Sequence, residues 1–130
     1  MINISENEVA RDIVDAAFHI HVELGPGLLE SVYEKILSYE LEKRGHKVDT
    51  QVAITIKYDD QEIGEAFRAD MIIDDLVIIE LKSVEQLMPL HKKQLITYLK
   101  LSNKRLGLLI NFGSVLIKHG IVRLVNGLDE

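Results

Sequence analysis

Asp70, and ten residues later Glu80-Leu81-Lys82, place two carboxylates and an ammonium on apolar, strand-like sequence. Carboxylates are hard oxygen ligands suited to Mg2+ or Mn2+, and a nearby lysine can orient water toward phosphorus while the cation neutralises charge on the phosphate oxygens. The chemistry available to such a set is hydrolysis of a phosphodiester. A plainer reading keeps Lys82 as an ion-pair partner of the two acids, because a chain with 21 acidic and 15 basic residues produces short patterns of this kind often.

Glu80 and Lys82 are two apart on a strand, so their side chains leave the same face. Whether Asp70 joins them depends on the register of the hairpin between. A two-residue loop at Asp74-Asp75 pairs Ile73 with Leu76 and sets Asp70 opposite Ile79. A three-residue loop pairs Ile73 with Val77 and sets Asp70 opposite Glu80, with Cβ atoms roughly 4.5–5.5 Å apart. The site therefore requires an odd loop or a bulge. Two carboxylates that close repel by about 4 kcal/mol at 4 Å and an effective dielectric of about 20, so one is protonated unless a cation intervenes.

The elements that must carry these groups can be read from periodicity and punctuation. Ser5 and Glu8 form a capping box for a helix from about Glu6 to His21, ended by Gly25-Pro26-Gly27. A second helix is expected from about Leu28 to Arg44, stopped by Gly45. On its wheel Glu30 falls inside an apolar arc that includes Leu28, Tyr33, Leu37, Tyr39 and Leu41, and a carboxylate there is costly unless paired or ligated. Glu34 sits at the wetter margin. Val52, Ile54 and Ile56 alternate as a strand that turns at Tyr58-Asp59-Asp60-Gln61; a second strand spans about Ile63 to Ile73 and a third Leu76 to Ser83. The third is apolar on both faces and so central. Pro89 opens a helix to about Leu101, on which His91, Gln94 and Tyr98 make a polar stripe. Two further apolar runs, Leu106 to Phe112 and Val115 to Val125, complete the sheet. His19, His21, His46 and His119 have no metal-ligand spacing and are expected to be structural or exposed. The order helix, helix, three strands, helix, two strands indicates an α/β sandwich with a meander at its centre rather than a doubly wound repeat.

Length and composition indicate one globular domain over residues 1–130, with 47% hydrophobic and 28% charged residues. The absence of cysteine excludes disulfides, thiolate zinc sites and thiol catalysis. The polar, acidic N-terminus and the lack of a long apolar run make a cytoplasmic protein with no membrane partner the expectation. Net charge is −6, but unevenly spread: residues 1–85 carry 8 basic against 19 acidic groups and residues 86–130 carry 7 against 2. Either the basic half meets phosphates while the acidic half supplies carboxylates, or the two halves simply attract one another.

Gly27-Leu28-Leu29-Glu30-Ser31-Val32-Tyr33 resembles the signature of the GxxExxY proteins, a branch of the PD-(D/E)XK nuclease superfamily. Arg68-Ala69-Asp70, Glu80-Leu81-Lys82, His91-x-x-Gln94-x-x-x-Tyr98-Leu99 and Gly107-Leu108-Leu109-Ile110-Asn111-Phe112 resemble that family's blocks in the same order, over about Phe18 to Val125. The resemblance implies a restriction-endonuclease-like core, a central mixed sheet with an antiparallel meander flanked by helices. It implies a magnesium site with Asp70 and Glu80 as ligands, Glu30 as the acidic residue of the first core helix, and Lys82 as the catalytic lysine. Gln94 and Tyr98 match the Gln-x-x-x-Tyr element of RecB-type members. Ala69 stands where the superfamily has proline, a position that shapes the strand.

The expectation is a Mg2+- or Mn2+-dependent nuclease, with phosphate contacts from Lys92, Lys93, Lys100 and Lys104 and with DNA ahead of RNA as partner. The alternative is a catalytically idle module of the same fold that binds nucleic acid or protein. With few loops long enough to wrap a duplex, a homodimer or a protein partner is expected to complete recognition.

Overall fold

The computed structural model describes residues 4–128. Its elements are α1 (Glu6–Leu24), α2 (Glu30–Lys43), β1 (Val48–Tyr58), β2 (Gln61–Ile73), β3 (Val77–Lys82), α3 (Pro89–Ser102), β4 (Leu106–Asn111), a short 3-10 turn (Ile117–His119) and β5 (Ile121–Val125). The sheet order is β1-β2-β3-β4-β5. Neighbours are antiparallel except β3 and β4, which run parallel and are joined across the sheet by α3. The expected α/β fold is present: a meander, a parallel pair that makes the sheet mixed, and helices on both faces.

Two apolar cores follow from the strand period. On one face α1 and α2 bury Ile13, Tyr33, Leu37 and Leu41 against Met71, Ile79, Leu108 and Phe112. On the other, Leu95 and Leu99 of α3 pack on Ile72, Ile78 and Leu109. Each such side chain contributes about 1.5–3 kcal/mol by leaving water. β4 is buried throughout and β3 at every position but Lys82, as central strands covered on both sides must be.

The hairpin β1–β2 exchanges its faces part-way along. Val48, Met71 and Ile73 pack in the α1–α2 core, yet Val52, Ile54, Phe67 and Ala69, at the same parity, pack in the α3 core. The change falls between the pairs Thr50–Met71 and Val52–Ala69, at Gln51, whose φ of 50° is left-handed. A regular strand keeps alternate residues on one face, so this kink turns the outer half of the hairpin over α3.

α1 runs three residues past its expected end, to Leu24, and β2 starts two residues early, at Gln61; three other differences bear on the site. α2 begins at Glu30, leaving Leu28 and Leu29 in an exposed loop, and Tyr39 is exposed, so the core face narrows to Tyr33, Leu37 and Leu41. β1 begins at Val48, four residues early. The run from Val115 is not a strand until Ile121: a Cβ on Gly113 would lie 2.2 Å from the Val84 carbonyl oxygen, so the chain turns tightly there and leaves Val115 and Leu116 exposed. Among the described residues no helix is long and apolar enough to cross a membrane.

Candidate functional site

The hairpin register decides whether the acids meet. Ile73 pairs with Val77, Ile72 with Ile78 and Met71 with Ile79, so the connecting loop is the three-residue Asp74-Asp75-Leu76. Asp74 and Asp75 both adopt left-handed φ, near 53° and 57°, which aspartate tolerates better than most residues. Asp70 and Glu80 are next in the ladder. There the strands part: the Asp70 carboxylate, rather than a main-chain carbonyl, accepts the Leu81 N–H at 2.8 Å.

Glu80 is buried, and its Oε1 has no hydrogen-bond partner. Its carboxyl is pushed up to about 9, first by burial and then by the Asp70 carboxylate beside it, with the Lys82 ammonium opposing. An acid made to keep its proton by burial first and by a second acid next, with an oxygen left unsatisfied, matches what a hard divalent cation requires. The pair therefore suits a hard divalent cation. Among the described residues no group of three or more His, Asp and Glu side chains stands at metal-holding spacing, so Asp70 and Glu80 form the close pair and Glu30 is a rim residue.

A polar cleft of about 200 Å³ surrounds the pair. Lys82 lines it from β3, Glu30 from the first turn of α2, and His91, Gln94 and Tyr98 from α3. Because β2 leaves β3 and exchanges faces here, side chains from both helical layers reach one cavity. Glu30 is exposed, not held in an apolar arc, because α2 starts at Glu30 itself; its carboxylate accepts the Ser83 N–H at 3.3 Å. Its loop is pinned by Tyr33, whose hydroxyl donates to the Gly25 carbonyl at 2.6 Å and accepts the Leu28 N–H at 3.2 Å. Tyr98 stacks on Phe67 with ring centroids 3.7 Å apart, and its hydroxyl is raised by burial first and by Glu80 and Asp70 second. His91 accepts the Met88 N–H on Nδ1 at 3.1 Å, which leaves the hydrogen of its neutral ring on Nε2. Past Asp70 the cleft continues into a chamber lined by Ser31, Glu34 and Gln51, where Gln51 donates to Glu34 at 2.7 Å.

Lys92, Lys93, Lys100 and Lys104 do not line the cleft. Lys93 and Lys100 project from the side of α3 away from His91 and Tyr98, and Lys104 donates to the Asp75 carbonyl at 2.7 Å, beside the β2–β3 turn. Arg105 pairs with Glu6 and Arg123 with Asn7, so part of the basic half does bind the acidic half. His46 bridges Asp12 and Asp74, His21 contacts the Ser114 carbonyl, and His19 and His119 are exposed.

Three contributors stand in the quoted sequence blocks without a role assigned to them. Arg68 lines the cleft; its place two residues before Asp70 was the available signal. Tyr33 fixes the Glu30 loop. Asn111, buried beside Lys82, accepts from Val84 and Gly113 N–H groups and donates to the Val84 carbonyl, which holds the segment after β3. A wider groove of about 730 Å³ between α2 and β1 has no such buried acid pair, so size does not mark the site.

No curated protein and no solved structure matches the chain. A family model described as the PD-(D/E)XK nuclease superfamily matches residues 7–124.

Proposed function

Because the chain belongs to the PD-(D/E)XK nuclease superfamily, we propose that it is a divalent-cation-dependent nuclease whose active site is the cleft at Asp70 and Glu80. The observation that carries this is the buried, unpartnered Glu80 oxygen beside a second carboxylate. Asp70 and Glu80 would hold Mg2+ or Mn2+, with Glu30 completing the set from the rim. The bound ion supplies Lewis-acid neutralisation of charge on the phosphate. Lys82, two residues from Glu80 on the same face, orients the attacking water with its ammonium. Gln94, Tyr98 and the Nε2–H of His91 offer donors to phosphate oxygens from α3. The Gly27-to-Tyr33 block supports placement in the GxxExxY branch, since its tyrosine holds the loop that leads into the helix turn carrying its glutamate. DNA is the substrate to test first, with RNA beside it.

One observation favours an idle binding module instead: the three acids do not form a tight cluster. Labelled single- and double-stranded DNA and RNA, incubated with Mg2+, Mn2+ or chelator, separate the two. Metal-dependent cleavage lost in Glu80→Ala and Lys82→Ala supports the nuclease. Cleavage that persists in both variants comes from a contaminant, and binding without cleavage supports the idle module. Mg2+ or Mn2+ should raise the melting temperature of the wild type by mass action, and Asp70→Asn should abolish the rise.

A further inference from the structure

The cleft is lined by three carboxylates, yet a nuclease must admit a phosphate chain with about one charge per nucleotide. Lys82 is committed to the scissile phosphate and its water, and Lys92, Lys93, Lys100 and Lys104 are outside the cleft. Arg68 is the other cation in the lining. It stands on β2 beyond the Gln51 kink, where the hairpin leaves the body of the sheet. Its guanidinium is held as a fork by two contacts: one terminal nitrogen donates to Glu65 Oε1 at 2.7 Å and the other to the Gln51 carbonyl at 3.3 Å. The ion pair is half exposed on both sides, 52% for Arg68 and 43% for Glu65. Exposed pairs of this kind add little to stability, so a phosphate that offers two oxygens to a planar fork displaces Glu65 easily.

We propose that Arg68 binds the substrate phosphate next to the scissile one, and that Glu65 occupies its guanidinium while the cleft is empty. The proposal rests on the nuclease reading above. A neighbouring phosphate is held alike before and during reaction, so its loss raises KM rather than lowering kcat. A lysine keeps the charge but not the fork, and a neutral residue at 65 removes the competitor.

The test compares wild type, Arg68→Ala, Arg68→Lys and Glu65→Gln. It measures cleavage under Mg2+ and oligonucleotide binding with chelator over a range of salt, after each variant's melting temperature has been recorded. Arg68→Ala should raise KM and Kd about tenfold or more, leave kcat within about twofold, and reduce the salt slope of binding by about 0.7–0.9. Arg68→Lys should fall between. Glu65→Gln should tighten binding about two- to threefold. If Arg68→Ala fails to fold, Arg68→Lys and Glu65→Gln decide. A wild type that cuts while the Arg68 variants keep its KM, Kd and salt slope overturns this inference alone, as does Glu65→Gln binding more weakly than wild type. A wild type that neither binds nor cuts removes the nuclease reading and this proposal with it.

Discussion

Glu80 keeps its proton well past neutrality, because burial first and Asp70 second raise its carboxyl from an ordinary 4.5 to about 9. Between those values the native state holds a proton that the unfolded chain has released. Stability in chelator therefore falls as pH rises through that window. Glu80→Gln removes this slope. At pH 8 in chelator the variant should melt at least about 3 °C above wild type, and it should lose the Mg2+-induced rise; scanning calorimetry with chelator and with Mg2+ measures both. Tyr33 acts at the same scale through its hydroxyl. Tyr33→Phe loses the bonds to Gly25 and Leu28, at a cost of about 1–3 kcal/mol. It also loosens the loop that leads into Glu30 at the start of α2, so cleavage should fall further than binding; urea melts beside kcat and Kd check this.

Element by element, polar contacts between segments distant in the chain add to the apolar core in orienting α1 and the β2–β3 turn. His46 ties Asp12 of α1 to Asp74 of the β2–β3 loop. Burial opposes its charge, but the bonds to Asp74 and Asp12 outweigh burial and raise its pKa. The charged form therefore adds stability that is complete below the unfolded value of about 6.5 and lost as pH climbs through the raised one. The stability gap between wild type and His46→Gln should narrow by about 1 kcal/mol from pH 6 to pH 9 in urea melts. Gln51 holds a left-handed φ of 50°, which disfavours a Cβ by about 1–2 kcal/mol. Gln51→Gly should thus be neutral or stabilising and Gln51→Val clearly destabilising, by the same melts. The kink was not legible in the sequence, since glutamine gives no sign of left-handed backbone and only two cores on opposite faces demand it. The α1 cap, the proline at the start of α3 and the apolar β3 were legible, because each is set by residues adjacent in the chain. The requirement for an odd loop came from pleat geometry alone, and Asp74-Asp75-Leu76 meets it. The apolar-arc argument for Glu30 fails because α2 starts at Glu30 rather than at Leu28, whereas the resemblance to the superfamily's first core helix does not depend on that start. The strand expected from Val115 fails because Gly113 and Asn111 lock that turn to Val84, a contact between distant segments that periodicity does not register.

For the molecule as a whole, a net charge of −6 and few cations facing the cleft limit electrostatic attraction to nucleic acid. If about three phosphates are neutralised, the log Kd against log salt plot should have a slope of about 2–3, well below that of a protein with a broad basic face; titrations from low to moderate salt test it. The body is three layers around β3 and β4, which are covered on both sides, whereas β2 pairs with β3 only from Met71 to Ile73 and then continues as half of a two-stranded ribbon. A ribbon without a third strand is marginal alone, so amides along a single strand should open by two different routes. Hydrogen exchange should be slow from Met71 to Ile73, released only by global unfolding, and fast from Gln61 to Glu65, released by local opening. The boundary between the two regimes falls close to Asp70. The mouth of the cleft can then breathe at Arg68 and Glu65 on a timescale that the central sheet never feels, while the carboxylate pair keeps the lifetime of the core.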